Sequence, residues 1–323
     1  MKIYGLTETP MRHATLRQLR VFEAVARLRS VTRAAEELHL TQPTVSIQLR
    51  QLSEMAGLPL LEQIGKKLYL TQAGEALQRC CRGVADELAR FEMQIADFKG
   101  IKAGRLRLSA ITTAQYFIPR LLGGFFARYP GIEVALEVTN RGQVLRRLAD
   151  NADDLYVLGQ PPERADVVAE SFLDNPLVVV APHGHALAGQ RGVELARLAE
   201  EYFLIRESGS GTRLAVENHF RAAGLPLRVR MELGSNEAIK LAVAGGLGLA
   251  VLSAHTLALE RNSDELTVLD VQGFPIRRQW YVLRPADKQL SVVASTFLDF
   301  LRAESRALAR SDLPGLGAFM PPP

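Results

Sequence analysis

Apolar and small residues at helical spacing run through residues 30–57, and the polar residues between them fall on the opposite face. Ala34 and Ala35 predict the buried face of a short helix, whose start Ser30 or Thr32 can cap. A second helix follows after a tight turn. Its predicted buried stripe consists of Val45, Leu49, Leu52 and Ala56. The pattern predicts a helix-turn-helix.

The outward side chains of these two helices suit a DNA major groove. They are short donors and acceptors of hydrogen bonds with a few cations, which fits base edges and phosphates. The second helix tolerates a proline in its first turn, where no backbone N–H is needed. The candidate DNA-binding residues are Thr32, Arg33, Thr41, Gln42, Pro43, Thr44, Ser46, Gln48 and Arg50. An ordinary helix pair with a polar solvent-facing side is the alternative.

Two short apolar runs follow the second helix and surround a Gly-Lys-Lys tip, which predicts a small hairpin. Lysines at such a tip, beside a recognition helix, can contact phosphates or the minor groove. We therefore predict a winged helix-turn-helix. Lys66 and Lys67 are its additional DNA-binding candidates.

Two further helices flank this motif. Residues 15–28 predict a helix that begins with a capping box formed by Thr15 and Gln18. Residues 71–99 predict one long helix, with apolar or small residues at intervals of three and four. That seam consists of Ala73, Leu77, Cys80 or Cys81, Val84, Leu88, Phe91, Ile95 and Phe98.

Such a seam has to be buried against a partner, and a coiled coil between two subunits is the simplest one. Packing of the long helix on the chain's own C-terminal domain is the alternative. A dimer would place two recognition helices about one DNA turn, or a multiple of it, apart. The operator should then be an interrupted inverted repeat.

Strands and helices alternate beyond residue 104, which predicts parallel α/β sheets in two lobes. The predicted fold class is multidomain α/β. Its parts are a winged helix-turn-helix over 14–71, a linker and dimerisation helix over 72–100, an effector-binding domain over 101–310 and a mobile tail over 311–323. The first lobe is predicted at about 104–165 and 276–308, and the second at about 166–275.

Several runs resemble the N-terminal domain of LysR-type transcriptional regulators. They are Leu16-Arg17-Gln18-Leu19, the run from Ala34 to Ser46, and Leu70-Thr71-Gln72-Ala73-Gly74. The chain departs from the family at Ile47 and Gln63, where many members carry arginine. The resemblance implies a periplasmic-binding-protein-like effector domain, with two lobes around a cleft, that extends to about residue 308.

Polar side chains and glycines follow the predicted strands of both lobes at their carboxyl ends, where open α/β sheets bind ligands. Any one such turn can be simple helix capping, but four together favour a binding site. Backbone N–H groups of a glycine-rich turn can approach an anion closely. The candidate effector-binding residues are Thr112, Thr113, Gln115, Thr139, Asn140, Arg206, Ser208, Ser210, Gly211, Arg213, Ser235 and Asn236. Thr112, Thr113, Asn140 and Ser210 resemble effector-contacting positions of the family.

Residues 204–213, 234–240 and 252–257 resemble the CbbR subgroup of this family, whose members regulate operons for ribulose bisphosphate carboxylase. The resemblance implies activation of a carbon-fixation operon by a phosphorylated metabolite or NADPH, with no other cofactor. Its implied partners are double-stranded promoter DNA, further copies of the chain in a dimer or tetramer, and RNA polymerase. A LysR-type regulator of another metabolic operon, with a different small anionic effector, is the alternative.

Composition agrees with a globular protein, at 47% hydrophobic and 23% charged residues, and no apolar run reaches membrane length. The first residues lack the apolar core of a secretory signal, so we expect a cytoplasmic protein without a membrane partner. The formal net charge is only +4, but residues 11–70 carry nine Lys and Arg against five Asp and Glu. Positive charge is therefore concentrated in the segment predicted to meet DNA.

The residues suggest no catalytic or metal site. The adjacent Cys80 and Cys81 lack the companions of a zinc site and are predicted to pack in a helix interface. His183 and His185 lie in a predicted loop without metal-ligating companions, and Ser210 lacks the spacing of a nucleophile elbow. A DNA-binding architectural protein without a ligand would leave the predicted cleft unexplained. We therefore predict a regulator, not an enzyme.

Overall fold

The structure is a computed structural model, and it describes residues 10–65, 67–98, 103–164, 166–258 and 265–312. Lys66 and residues 313–323, which make up most of the predicted tail, lie outside the described residues. The chain divides into two compact units, Met1–Glu92 and Met93–Pro323, which we call the first and second unit.

Helices and strands alternate along much of the described chain, but β6 and β11 are strands that the sequence pattern did not predict. The α-helices are α1 (Leu16–Leu28), α2 (Val31–Glu37), α3 (Gln42–Ala56), α4 (Gln72–Phe98), α5 (Ile118–Arg128), α6 (Arg141–Ala149), α7 (Leu195–Leu198), α8 (Gly211–Ala222), α9 (Asn236–Ala244) and α10 (Val292–Asp312). The strands are β1 (Leu61–Ile64), β2 (Lys67–Leu70), β3 (Gly104–Ile111), β4 (Ile132–Thr139), β5 (Leu155–Leu158), β6 (Val167–Asp174), β7 (Leu177–Pro182), β8 (Tyr202–Arg206), β9 (Arg228–Leu233), β10 (Leu249–Ser253), β11 (Leu266–Leu269) and β12 (Gln279–Pro285). Short 3₁₀ helices occupy Pro10–His13, Thr112–Tyr116 and Ala254–Leu257. None of the described helices combines the length and apolarity that crossing a lipid bilayer requires.

The first unit packs α1, α2 and α3 around two apolar clusters, and Leu49 and Leu61 pack against both of them. Phe22, Val25 and Val45 are fully buried there. The Thr15 hydroxyl accepts a hydrogen bond from the Gln18 backbone N–H at 3.2 Å, and the Gln18 amide oxygen accepts one from the Thr15 N–H at 2.9 Å. This is the predicted capping box, which satisfies two otherwise free donors at the helix start. Ser30, and not Thr32, caps α2.

The wing is an antiparallel hairpin of β1 and β2. Gly65 adopts the left-handed conformation that its tip requires, with φ of +62°. The Gln63 side-chain amide donates a hydrogen bond to the Gly65 carbonyl at 3.0 Å. Gln63, one of the two departures from the family pattern, therefore stabilises the wing turn.

The long helix α4 changes character along its length. Near its start Leu77 and Cys81 are buried in an apolar cluster with Phe22 and Leu52, as predicted for one of the two cysteines. This burial raises the pKa of the Cys81 thiol to about 12. Further along, the predicted seam is open, because Leu88, Phe91 and Ile95 are 46%, 59% and 37% exposed.

The second unit contains two five-stranded sheets, ordered β4-β3-β5-β12-β6 and β11-β7-β10-β8-β9. We call the first sheet with its helices the first lobe, and the other the second lobe. Strands β3, β4 and β5 are mutually parallel, as are β8, β9 and β10, whereas β6, β7, β11 and β12 pair antiparallel. The sheets are therefore mixed and not purely parallel.

The position of β6 corrects the predicted lobe boundary. The sequence pattern placed residues from 166 in the second lobe, but Val167–Asp174 pairs along its length with β12 of the first sheet. The second lobe therefore begins after Asp174. The chain crosses between the lobes there and again before β12, and the two crossings are joined by reciprocal hydrogen bonds of 3.0 Å between the backbones of Leu177 and Ile276.

Candidate functional site

The outward face of α3 is made by exposed residues in its first turns. Thr41 caps the helix by accepting a hydrogen bond from the Thr44 N–H, and Pro43 lies in the first turn. Thr44 and Gln48 are only half-exposed. The exposed residues over these turns are Gln42, Pro43, Ser46, Ile47 and Arg50. Ile47 was not among the predicted DNA-binding residues.

The remaining predicted DNA-binding residues are also on the surface where the structure describes them. Thr32 and Arg33 are exposed on α2, and Lys67 is exposed at the start of β2. Within the described part of the first unit, the side chains of Ser46 and Arg50 have no hydrogen-bond partner. These groups are therefore available to an external ligand.

A cleft that is open to solvent lies between the two lobes of the second unit. Its walls come from the ends of strands and the starts of helices in both lobes. The lining residues are Ile111, Thr112, Thr113, Arg141, Gly159, Gln160, Asn175, Arg206, Glu207, Ser210, Gly211, Thr212, Arg278 and Trp280. Thr112, Thr113, Arg206, Ser210 and Gly211 were predicted from the sequence.

Arg206 is a buried cation of the second lobe, at 4% exposed. Its guanidinium donates hydrogen bonds of 2.7 and 2.9 Å to the Glu207 carboxylate and one of 2.6 Å to the Asn236 amide oxygen. Arg206 also reaches Thr112 of the first lobe at 3.3 Å, and the Asn236 amide reaches Thr113 at 3.4 Å. Because Glu207 already neutralises Arg206, we assign Arg206 chiefly to connecting the lobes through its bond to Thr112.

Arg278 is a cation without a carboxylate partner among the described residues. It donates a hydrogen bond of 2.7 Å to the Gly211 carbonyl of the second lobe. It also donates to the Gly159 carbonyl at 2.8 Å and the Gln160 side chain at 3.0 Å in the first lobe. Burial lowers the pKa of Arg278, and repulsion from Arg141 lowers that pKa further.

Arg141 is the second such cation. Its guanidinium donates a hydrogen bond of 2.5 Å to the Gln160 carbonyl, and burial lowers its pKa. Gly211 and Thr212, at the N-terminus of α8, add backbone N–H groups to the same cleft. In the part of the chain that the structure describes, the Glu207 carboxylate of this cleft pairs with Arg206, and Arg141 and Arg278 have no carboxylate partner. Two such cations beside a helix N-terminus are the features of an anion-binding site.

A second set of contacts joins the lobes beside this cleft. The Tyr116 hydroxyl donates to the Glu237 carboxylate at 2.6 Å, and Lys240 pairs with the same carboxylate at 2.9 Å. The Lys240 ammonium also lies 5.1 Å from the centre of the Tyr116 ring. Burial raises the pKa of Glu237, but the bonds from Tyr116 and Lys240 outweigh burial and lower it overall.

The other predicted effector residues do not line this cleft. Asn140 and Ser235 cap α6 and α9 with their side chains. Arg213 is held by Glu217 at 2.7 Å and by Glu232 at 2.5 Å. The predicted residues outside the lining are Gln115, Thr139, Asn140, Ser208, Arg213, Ser235 and Asn236.

The sequence pattern missed the unpaired cations for a physical reason. Arg278 precedes β12, at the second crossing between the lobes, and nothing in its neighbourhood marks a strand-end turn. Arg141 is the first residue of α6 and directly follows Asn140, which was a predicted effector residue. Its position just after the end of β4 could therefore have indicated that it lies at the cleft. Among the described residues, no group of three or more His, Cys, Asp and Glu side chains could hold a metal ion.

Two family models match the chain, in agreement with this geometry. "Bacterial regulatory helix-turn-helix protein, lysR family" matches residues 16–75, and "LysR substrate binding domain" matches residues 99–306. The chain belongs to the LysR family. This confirms the family predicted from the residues, and LysR proteins are transcriptional regulators and not enzymes.

Relatives within the LysR family match over nearly the whole chain. The "RuBisCO operon transcriptional regulator" of Acidithiobacillus ferrooxidans is 53% identical, over 91% of this chain and 96% of that protein. The "HTH-type transcriptional activator CmpR" of Synechocystis is 52% identical, over 93% of this chain and 98% of that protein.

A solved structure of a regulatory domain is similar to part of the chain. The regulatory domain of CcmR from Synechocystis PCC6803, in complex with 2-PG, is 56% identical and has a TM-score of 0.61. The match covers 62% of this chain and 97% of that domain. The two-lobed α/β architecture predicted from the sequence is therefore confirmed as that of a LysR regulatory domain.

Proposed function

We propose that this protein binds promoter DNA through α3 and the wing, and that a small anion in the cleft between the lobes controls transcription of a carbon-fixation operon. The proposal rests chiefly on one observation: among the described residues, Ser46 and Arg50 of α3 have no hydrogen-bond partner, and the two guanidinium groups of Arg141 and Arg278 in the cleft have no carboxylate partner. Relatives named as regulators of RuBisCO operons support the choice of operon and a role as activator.

DNA binding is supported by the composition of the α3 face. Ser46 and Gln42 can bond base edges, and Arg50 can bond a base or a phosphate. The wing adds Lys67 on a separate element. The expected consequence is a site read by hydrogen bonds in the major groove and held by phosphate contacts on either side.

Oligomer formation is supported by the open part of α4. Leu88, Phe91 and Ile95 form a stripe at helical spacing that is exposed in a single chain, and such a stripe is expected to pack against a second copy. We propose a homodimer as the smallest active form, with a tetramer as a larger assembly. Because the proposed protein acts on transcription, we also propose RNA polymerase as a partner and the cytoplasm as its location.

The effector class follows from the cleft. Arg141, Arg278 and the start of α8 supply positive charge and N–H donors along the walls of this narrow cleft, which suits a small molecule with phosphate or carboxylate groups. The complex of the related CcmR domain with 2-PG, which is 2-phosphoglycolate, makes that compound the first probe. NADPH is the larger candidate and would require a wider cleft.

The proposal is tested by footprinting and calorimetry on the purified protein. DNase footprinting of the promoter of its neighbouring carbon-fixation genes should show protection that random competitor DNA does not remove. Titration calorimetry should show binding of 2-phosphoglycolate and weaker or no binding of an uncharged analogue. A protein that protects no promoter fragment, or one that binds no anionic metabolite, would refute the corresponding half of the proposal.

A further inference from the structure

Ile47 interrupts the polar surface of α3. It is 47% exposed, although both neighbours in the chain, Ser46 and Gln48, are polar. Helical spacing places Pro43 one turn before it on the same side, and Arg50 one turn after it. The outward face therefore carries an apolar spot of Pro43 and Ile47, bordered by Ser46 and Arg50, whose side chains can form hydrogen bonds.

Folding of the first unit does not account for this side chain. The buried contribution of α3 comes from Val45 and Leu52, which are both 0% exposed, and Ile47 belongs to neither apolar cluster of the unit. A β-branched residue at an exposed helix position also has a lower helix propensity than Lys, Arg or Gln. The local fold would be as stable with a polar residue there.

The major groove contains one apolar group that such a side chain can recognise. Base-pair edges there present hydrogen-bond donors and acceptors, and only thymine adds a C5-methyl group. We propose that Ile47 is a specificity-determining residue that packs against the C5-methyl of a thymine in each half-site. This inference rests on the proposed function, because it requires α3 to lie in the major groove.

The test replaces single thymines of the footprinted promoter fragment with deoxyuridine, which removes the methyl group and leaves the hydrogen-bonding edge intact. For the full-length wild-type protein, we expect one position in each half-site at which this replacement weakens binding about fourfold, the size expected for one buried methyl group. In Ile47→Ala the effect at that position should disappear, while any effects at other thymines remain.

Two control variants separate methyl recognition from general damage. Ile47→Val keeps a branched apolar side chain, so it should retain sensitivity to deoxyuridine at the same position. Ser46→Ala, one residue away, should weaken binding of every fragment and leave the sensitive position unchanged. Because Ile47 is exposed, thermal melting of Ile47→Ala should match the wild type.

The outcomes distinguish this inference from the function on which it rests. If deoxyuridine weakens wild type and Ile47→Ala equally at every position, or weakens neither, Ile47 reads no methyl group and the inference is overturned. Preferential binding of the promoter by the wild type would still support the proposed function in that case. Failure of the wild type to prefer the promoter over random DNA would overturn the proposed function itself.

Discussion

Arginine occupies two opposite environments in this chain. On α3, Arg50 is exposed and has no partner among the described residues. In the cleft of the second unit, Arg278 and Arg141 are half-buried, and carbonyl and amide oxygens hold their guanidinium groups in place. The same side chain is open to solvent in the first region, and in the second it is oriented by hydrogen bonds and partly desolvated.

This difference indicates two kinds of anion. An exposed cation suits a polyanion, because binding then releases counterions and depends steeply on salt. A pair of oriented cations in a partly closed cleft suits a single small anion, because salt screens buried charges less than exposed ones. The predictions below test whether the two regions are as separate in function as they are in structure.

The largest expected effect concerns dimer formation, which lets two copies of α3 bind one promoter together. Phe91→Glu places a charge in the exposed stripe of α4 and should convert the oligomer into monomers. Loss of bivalent binding should then weaken promoter affinity by roughly 100- to 1000-fold, while each monomer still binds effector. Analytical ultracentrifugation and gel shifts measure the two effects.

The control for Phe91→Glu is Ala89→Glu, which adds the same charge at an exposed position of α4 outside the stripe. It should leave both mass and affinity unchanged. If Phe91→Glu remains oligomeric, the assignment of the stripe to an interface is wrong.

The next effect concerns the cleft. Arg278→Gln removes a charge that reaches both lobes and should weaken 2-phosphoglycolate binding by about 100-fold, as expected for losing a charge-assisted hydrogen bond. Affinity for promoter DNA without effector should change less than about twofold. Calorimetry and gel shifts on the same preparation check both expectations.

Arg277→Gln is the matched control, because Arg277 is adjacent and exposed and does not line the cleft. Its effector affinity should remain that of the wild type. Equal losses in the two variants would mean that only overall charge matters and that the cleft geometry does not.

A smaller effect is expected on α3. Arg50→Ala should weaken promoter binding by about 10-fold and reduce the slope of log affinity against log salt by about one for each recognition helix. Effector binding should be unchanged. Arg191→Ala, an exposed arginine of the second unit, is the control that should leave the slope intact. An unaltered slope in Arg50→Ala would exclude a phosphate contact by this side chain.

The smallest effect concerns the contact between the lobes at Glu237. Glu237→Gln should lower the free energy of unfolding by about 1 kcal/mol or less at neutral pH, because this carboxylate is partly exposed and screened. The Glu237 pKa is lowered from 4.5 in the folded protein, so its contribution is present above pH 4.5 and disappears as pH falls through the folded pKa. Denaturant titrations at pH 7 and pH 4 should show a smaller difference between the two proteins at pH 4. A difference that grew on acidification would contradict the assigned ion pair.

Local patterns predicted the first unit well. The capping residues Thr15, Ser30 and Thr41, the buried stripe of α3 and the hairpin depend on residues close together in the chain. Ile47 was not predicted as a DNA-binding residue, because the predicted residues were hydrogen-bond donors, acceptors and cations, and an apolar side chain is none of these. The DNA contacts themselves, including that of Lys66, remain predictions.

The cleft could be predicted only in part, because it joins residues from Ile111 to Trp280. Thr112, Arg206 and Ser210 follow strands and were recognisable from that position alone. Arg278 was not, because its place in the cleft depends on the second crossing between the lobes. The lobe boundary at β6 was missed for a similar reason: antiparallel pairing with β12 involves residues more than a hundred positions apart.

The most direct test is a DNase footprint of the promoter with and without 2-phosphoglycolate, for the wild type and for Arg278→Gln. The proposed coupling of cleft and α3 predicts that saturating effector changes the wild-type footprint and leaves that of Arg278→Gln unaltered. Without effector, the two proteins should protect the same DNA to the same extent. An effector-dependent change of the same size in Arg278→Gln, or no change in the wild type, would contradict it.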